Sequence, residues 1–336
     1  MKAVGHRANL PISDPNALID FDAPKPAPGA RDLLVKIAAI AVNPVDYKVR
    51  TKFPVPAGET RILGWDACGT VEAVDANVHR FKPGDQIYYA GSLVRPGSNA
   101  EYQAVDERIV GHKPKSLSNA EAAALPLTTI TAWELLFDRL GVARGGGKGQ
   151  SLLIVGGAGG VGSILIQLAK QLTALTIIAT ASRPETNEWC RTLGAHHVID
   201  HAKPLGEQLK NAGAPLVDYV AALTETETHF PALAEALKPQ GRIAVIDDPK
   251  AIDVNLLKRK SASLHWEFMF TRSMFETPDI DAQGALLDEV ATLVDGGRLR
   301  TTLGDHYGAI NAANLKRAHA FIESGKAKGK VVLEGF

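Results

Sequence analysis

The chain has 336 residues, 45% hydrophobic and 22% charged, enough for two domains with a large buried core and ordinary for a globular protein. Its 37 basic residues equal its 37 acidic ones, so neither nucleic acid nor an anionic membrane surface is an expected partner, and small molecules are. Two isolated cysteines, Cys68 and Cys190, make neither a disulfide framework nor a zinc-finger spacing, and no apolar run suits a secretion signal or a membrane span. A cytoplasmic, reducing location is expected.

From residue 1 to about 120, short strands are predicted at 2–5, 33–42, 69–75, 86–90 and 100–105. Turn chemistry such as Lys82-Pro83-Gly84-Asp85 separates them, which predicts a small antiparallel β domain. The texture changes at Ser118, with helical patterning over 119–125 and 131–140, then a glycine-rich loop over 144–150.

Leu152, Leu153, Ile154 and Val155 then suit a buried strand and run directly into Gly157, Gly159 and Gly162, a G-x-G-x-x-G turn. Val161, Ile164, Leu165, Leu168 and Leu172 fall on one face of the helix that follows. In such a strand-turn-helix the glycines reverse the chain, admit a pyrophosphate and seat helix against strand, while the helix N-terminus attracts the anion. Gly157, Gly159, Gly160, Val161 and Gly162 are therefore assigned to a dinucleotide.

A second apolar strand at 175–179 completes the βα spacing and ends in Thr180, Ala181, Ser182 and Arg183. No carboxylate stands there to accept from a free ribose 2′-OH, and Arg183 offers a charge-assisted partner for a 2′-phosphate, so NADPH is expected over NADH. Ser182 also reads as the N-cap of the next helix, with Pro184 in its first turn and Glu185 closing a capping box; the two readings are compatible.

Further strands at 195–199, 216–221 and 242–246, with helical stretches between, predict a parallel, doubly wound sheet. Residues 263–270 alternate Leu264, Trp266, Phe268 and Phe270 with His265, Glu267 and Met269, the period of a strand. Helices at 282–295 and 312–324 and a strand at 330–333 end the chain.

Five stretches together resemble the medium-chain dehydrogenase/reductase superfamily, in its zinc-free, quinone oxidoreductase-like branch: Asn43-Pro44-Val45-Asp46-Tyr47-Lys48, Gly64-Trp65-Asp66-Ala67-Cys68-Gly69, Phe81-Lys82-Pro83-Gly84-Asp85, Thr131-Ala132-Trp133-Glu134 and the glycine turn. The resemblance covers nearly the whole chain. It implies an α/β fold with a GroES-like antiparallel β catalytic domain over 1–122, a Rossmann dinucleotide-binding domain over 123–272, and a segment over 273–336 that returns to the catalytic domain. The active site would lie in the cleft between them.

Where zinc-dependent members carry a ligand cysteine this chain has Asn43, where they carry Gly-His-Glu it has Gly64-Trp65-Asp66, and Leu127 stands where a third ligand would be. Amide and indole groups hold zinc poorly, so no metal is expected. Without a Lewis acid the expected reaction is hydride transfer to a quinone or an α,β-unsaturated carbonyl, whose charge gathers on an oxygen that hydrogen-bond donors stabilise. The alternatives are a zinc-type alcohol or aldehyde dehydrogenase, and an NADPH-binding regulatory protein without turnover.

The resemblance assigns Asn43 to the substrate carbonyl or the nicotinamide ribose, Tyr47 to a proton or hydrogen bond, and Asp46 to orienting them. Asn43-Pro44 also reads as a turn and Asp46 as a helix cap. Trp65 would wall the substrate pocket or pack in the core. Thr131, Leu223, Asp247 and Phe270 are placed at the cofactor, and His201 stands where related quinone reductases carry a tyrosine near the 2′-phosphate. Lys330 would reach the phosphates or sit solvated. The open edge of strand 263–270 is expected to pair two copies into a homodimer.

Overall fold

A computed structural model describes residues 1–336. The chain begins with β1 (Lys2–His6), β2 (Ile19–Asp22), β3 (Asp32–Val42), α1 (Pro44–Lys52), β4 (Arg61–Ile62), β5 (Asp66–Val74), β6 (Gln86–Ala90), β7 (Tyr102–Asp106) and β8 (Val110–His112). β1 lies between β2 and β4 in a small antiparallel sheet. β3 is the spine of the larger sheet, paired antiparallel with both β5 and β7. Its near-continuous apolar text, DLLVKIAAIAV, follows from burial on both faces, with Lys36 the one exposed position.

Ser118 and Glu121 form a reciprocal capping box that starts α2 (Asn119–Ala123), and Pro126 opens α3 (Pro126–Trp133). The helix expected over 131–140 is two things: α3 to Trp133, then a π-helical stretch over Glu134–Arg139. A π-helical turn inserts an extra residue, and here it buries Glu134 within the fold.

Next come β9 (Ser151–Val155), α4 (Gly160–Leu172), β10 (Thr176–Thr180), α5 (Pro184–Leu193), β11 (His197–Ile199), α6 (Leu205–Asn211), β12 (Val217–Ala222), α7 (Thr226–Ala236), β13 (Leu237–Val245), α8 (Asn255–Lys258) and β14 (Ser263–Trp266). The six strands form one parallel sheet in the order β11-β10-β9-β12-β13-β14, which winds outward both ways from β9. In that order the strand sequence reverses between β9 and β12, the place where doubly wound sheets hold ligands.

The strand expected over 263–270 is shorter than its alternation suggested. Its ladder to β13 ends at Val245↔Trp266, where β13 itself ends. Alternation continues beyond it, but with the polar residue inward: Glu267 is buried while Trp266 and Phe268 are exposed.

The chain closes with α9 (Thr271–Phe275), α10 (Asp281–Asp295), β15 (Leu303–His306), α11 (Ala312–Glu323) and β16 (Lys330–Glu334). β16 pairs antiparallel with β3, extending the larger sheet to β15-β16-β3-β5-β6-β8. Two compact units result, Met1–Ile130 with Phe270–Phe336, and Thr131–Met269. The first runs past residue 122 because α2 packs on β3 and β5 of the antiparallel sheet. No helix is long and apolar enough to cross a membrane.

Candidate active site

In the parallel unit, β9 ends at Val155 and Gly156 turns the chain with φ +84°. Gly156 N donates to Thr180 Oγ1 at 3.0 Å and Gly157 N to Thr180 O at 3.1 Å, tying the turn to the end of β10. A Cβ on Gly157 would lie 2.7 Å from Ala179 Cβ, and one on Gly162 would lie 2.4 Å from Gly156 O. Both are therefore required by packing. On Gly159 a Cβ would meet nothing nearer than Gly156 O at 3.5 Å, so that side of the turn is open to a ligand.

α4 begins at Gly160, and its first intrahelical bond runs from Ser163 N to Gly159 O at 2.9 Å. The N–H groups of Gly160, Val161 and Gly162 precede it, at the positive end of a 13-residue helix dipole. This cradle fits the pyrophosphate of a dinucleotide.

Around it, the remaining predicted cofactor residues divide. The N-cap of α5 is Arg183, one residue later than expected; Thr186 Oγ1 accepts from its backbone N–H at 3.2 Å, and Ser182 is exposed before it. Pro184 at N1 fixes that start, which leaves Ser182 one residue outside the helix. Arg183 Nε lies 3.3 Å from Glu185 Oε1, a half-exposed pair. His201 follows β11 and meets His229 of α7 edge-on, ring centroids 5.9 Å apart. Burial first, then the neighbouring His201, lowers the pKa of His229. Leu223 follows β12, its N–H donating to Val155 O at 3.3 Å. Asp247 follows β13 and accepts from Thr226 N at 2.9 Å and from Thr226 Oγ1, so it caps α7. Thr131 is buried on α3. The glycine turn, Arg183, His201, Leu223 and Asp247 thus gather at the carboxyl ends of the parallel strands.

Phe270 and Lys330 belong to the other unit. Phe270 is buried at the start of α9 and meets Trp65 edge-on at 6.3 Å, because β14 has already ended. Trp65 is itself buried, its Nε1 donating to Ser92 O at 3.1 Å.

Lys330 is not solvated; it is 2% exposed. The register explains why. Val331↔Val42 sets Lys330 beside Asn43, and Ala41↔Asp66 sets Asp66 on the same face one pair further along. Lys330 Nζ donates to Asp66 Oδ2 at 2.9 Å, to Val42 O at 3.2 Å and to Asn43 Oδ1. Three donors are all an ammonium has, so none is left for a phosphate.

Asn43, 1% exposed, spends its amide Nδ2 on Asp66 Oδ2 at 2.8 Å and Ala41 O at 3.3 Å. Its amide is held by the protein itself, not left open to a substrate. Asp66 Oδ1 accepts from Leu127 N, in the first turn of α3, at 2.7 Å. Asp46 closes the start of α1, accepting from Asn43 N at 2.7 Å. Burial pushes the Asp46 carboxyl up to about 7, against the opposing pull of the Asn43 N–H and the Lys330 charge. Tyr47, next on α1, is half-buried.

This donor set does not fit zinc. An amide, a main-chain N–H at Leu127 and one carboxylate meet a fixed ammonium, and the Trp65 indole N–H is spent on the Ser92 carbonyl, where a zinc site needs several thiolates, imidazoles or carboxylates converging without a competing cation.

One cluster escaped sequence reasoning. Glu134 and Glu267 are both buried, and Arg139 Nε reaches Glu267 Oε2 at 2.9 Å while Arg139 Nη2 lies 3.5 Å from Glu134 Oε2. Burial, then the charge of Glu134, drives the Glu267 carboxyl far above its usual range. The sequence offered no signal for this cluster, since a charge between Trp266 and Phe268 reads by alternation as an outward residue.

Comparison with known proteins agrees with this architecture. An alcohol dehydrogenase GroES-like domain model matches residues 29–115, and a zinc-binding dehydrogenase model matches residues 193–333. A zinc-type alcohol dehydrogenase-like protein of Staphylococcus aureus is 40% identical over 336 residues, covering 99% of each chain. A 2-methylene-furan-3-one reductase of Solanum lycopersicum is 33% identical over 313 residues, 90% of this chain and 71% of the relative. The crystal structure of a Rhizobium etli protein described as a zinc-dependent alcohol dehydrogenase superposes with a TM-score of 0.96 at 57% identity, covering 100% of this chain and 98% of that one. The chain belongs to the medium-chain dehydrogenase/reductase superfamily of nicotinamide-dependent oxidoreductases.

Proposed function

We propose that the protein is an NADPH-dependent reductase of quinones or α,β-unsaturated carbonyls that works without a metal. The observation that carries this reading is the donor chemistry of Asn43, Trp65 and Asp66, whose side-chain polar groups are each matched by another protein group. Alcohol oxidation asks for a Lewis acid on the oxygen. A conjugated acceptor does not: it takes hydride at a remote carbon and gathers charge on an oxygen that a hydrogen bond stabilises. The tomato relative is named for reducing such a conjugated ketone, which supports the acceptor class.

A bound dihydronicotinamide supplies the hydride. The protein's part is to hold and orient. Gly159 and the first N–H groups of α4 receive the pyrophosphate, and Arg183 exchanges its exposed pairing with Glu185 for a 2′-phosphate. Tyr47 donates a hydrogen bond to the acceptor oxygen from a helical turn that Asp46 and Asn43 fix. We also propose that two copies pair through β14, an open sheet edge beside the exposed Trp266 and Phe268.

The test is oxidation of NADPH and NADH by metal-stripped protein against benzoquinone, naphthoquinone, enones, simple aldehydes and alcohols. Quinone or enone turnover with NADPH preferred is expected, and Arg183→Ala should erode that preference by about 10-fold, the worth of one charge-assisted contact. Turnover confined to alcohols and aldehydes, and dependent on added zinc, would overturn the reading.

A further inference from the structure

We infer that Lys330 is the resident cation of the site: its ammonium neutralises Asp66, fixes the Asn43 amide, and so holds the starts of α1 and α3 where a divalent ion would otherwise be asked to do so. The inference goes beyond the proposed reaction and does not depend on which acceptor is reduced.

Three observations carry it. The first is saturation. Each of the three ammonium donors has an acceptor, Asp66 Oδ2, Asn43 Oδ1 and the Val42 carbonyl, and Asp66 in turn receives Asn43 Nδ2 and the Leu127 N–H. A buried ion pair is stable only when its remaining lone pairs and protons are matched in this way. Side-chain exposures of 3% and 0% for Lys330 and Asp66 leave water no share in that matching.

The second is charge balance. The titratable groups bearing on this point are Lys330 from β16, Asp66 from β5 and Asp46 from α1, while α3 contributes the Leu127 N–H. Burial holds the Asp46 carboxyl toward its neutral form, so the Lys330 ammonium and the Asp66 carboxylate are the directly bonded opposite charges of the cluster. A divalent cation added to it would face a fixed positive charge and would find Asp66 already occupied.

The third is mechanical. Asp66 binds the first turn of α3, and Asn43 is the N-cap of α1, whose first turn Asp46 closes. Lys330 is bonded to Asp66 and to Asn43, so one side chain on the last strand sets two helix starts. It acts on substrate only through them, as a positioning residue.

The experiment uses the full chain as Lys330→Met, Lys330→Arg, Asp66→Asn and the Lys330→Met/Asp66→Asn double variant. Thermal unfolding is followed from pH 5 to 9, with metal content by mass spectrometry. Wild-type protein should carry far less than one zinc per chain, and neither chelator nor added zinc should move its midpoint. Either charge-removing single variant should lose on the order of 10 °C, because a buried charge is left unpaired, and the double variant should lose less than the worse single. Because Glu267 adds a falling background of its own up to higher pH, the Asp46 share is read as the part of the profile that Asp46→Asn removes; that part should reach about one pH unit higher in Lys330→Met, since Asp46 loses a nearby positive charge, and should stay put in Lys330→Arg. Should Lys330→Met not accumulate as folded protein, Asp66→Asn and the double variant decide: a double variant less stable than Asp66→Asn overturns the inference. Strictly additive losses, an unmoved pH profile in Lys330→Met, or stoichiometric zinc in the wild type would overturn it as well.

Discussion

Asp46 binds its proton far more tightly in the folded chain than an exposed aspartate does, because burial disfavours its charge. Its folded pKa, about 7, is raised above the ordinary aspartate value of 3.8. Between those values the native state holds a proton that the unfolded state has released, so the stability from this group is full below about pH 4 and is lost as pH rises through 7. The expected slope is about 1.4 kcal/mol per pH unit inside that window. Asp46→Asn, which keeps an acceptor for the Asn43 N–H, should remove that share of the slope below pH 7 and leave the share of the buried Glu267, as denaturant unfolding at pH 4, 5.5, 7 and 8.5 would show. An unchanged slope would assign it to another group. At this scale the sequence offered residue types but not their partners. Asn43, Asp46 and Tyr47 were visible as a polar run before a helical turn, whereas Lys330 in the text Lys330-Val331-Val332-Leu333 gave no hint of Asp66, 264 positions away. Only the antiparallel registers of β16 on β3 and of β3 on β5 join them.

Among the elements, the β9–turn–α4 segment was the most legible, because what shapes it lies within the segment and the next strand, β10. Glycines where a Cβ would strike Ala179 or Gly156, and apolar residues on one face of the helix, specify it. Gly162→Val should therefore abolish dinucleotide binding, with a loss of 100-fold or more in affinity on the order of a 1 Å displacement of the cradle. Isothermal titration with NADPH reads this directly, and wild-type affinity in the variant would show that the cradle is not the binding site. The edge segment was legible only in part. Its period was right over Ser263–Trp266, but the strand stops there, and Glu267 beyond it turns inward to Arg139 and Glu134. A pattern of alternation says which residues share a face and not which face is covered.

For the molecule as a whole, the proposed pairing of two copies rests on β14 at the end of the parallel sheet, where Trp266 is 55% and Phe268 47% exposed. Aromatic side chains of that size left in water are a cost that a partner surface removes. Wild-type protein should sediment at twice the chain mass, and Trp266→Glu combined with Phe268→Lys should yield monomers by analytical ultracentrifugation. A wild-type monomer, or a variant that remains paired, would place the contact elsewhere or remove it.

Composition, strand and helix periodicity, and the glycine turn determined by themselves that this is an α/β chain with a dinucleotide cradle, since those signals act over a few neighbouring residues. The tertiary structure alone decided that Lys330 is an internal cation, that Asn43 is bound by its own protein, and that Phe270 packs with Trp65 instead of ending a nucleotide-facing strand. The reason is physical: burial and charge pairing depend on which strands lie side by side, and that register is set by contacts between residues hundreds of positions apart.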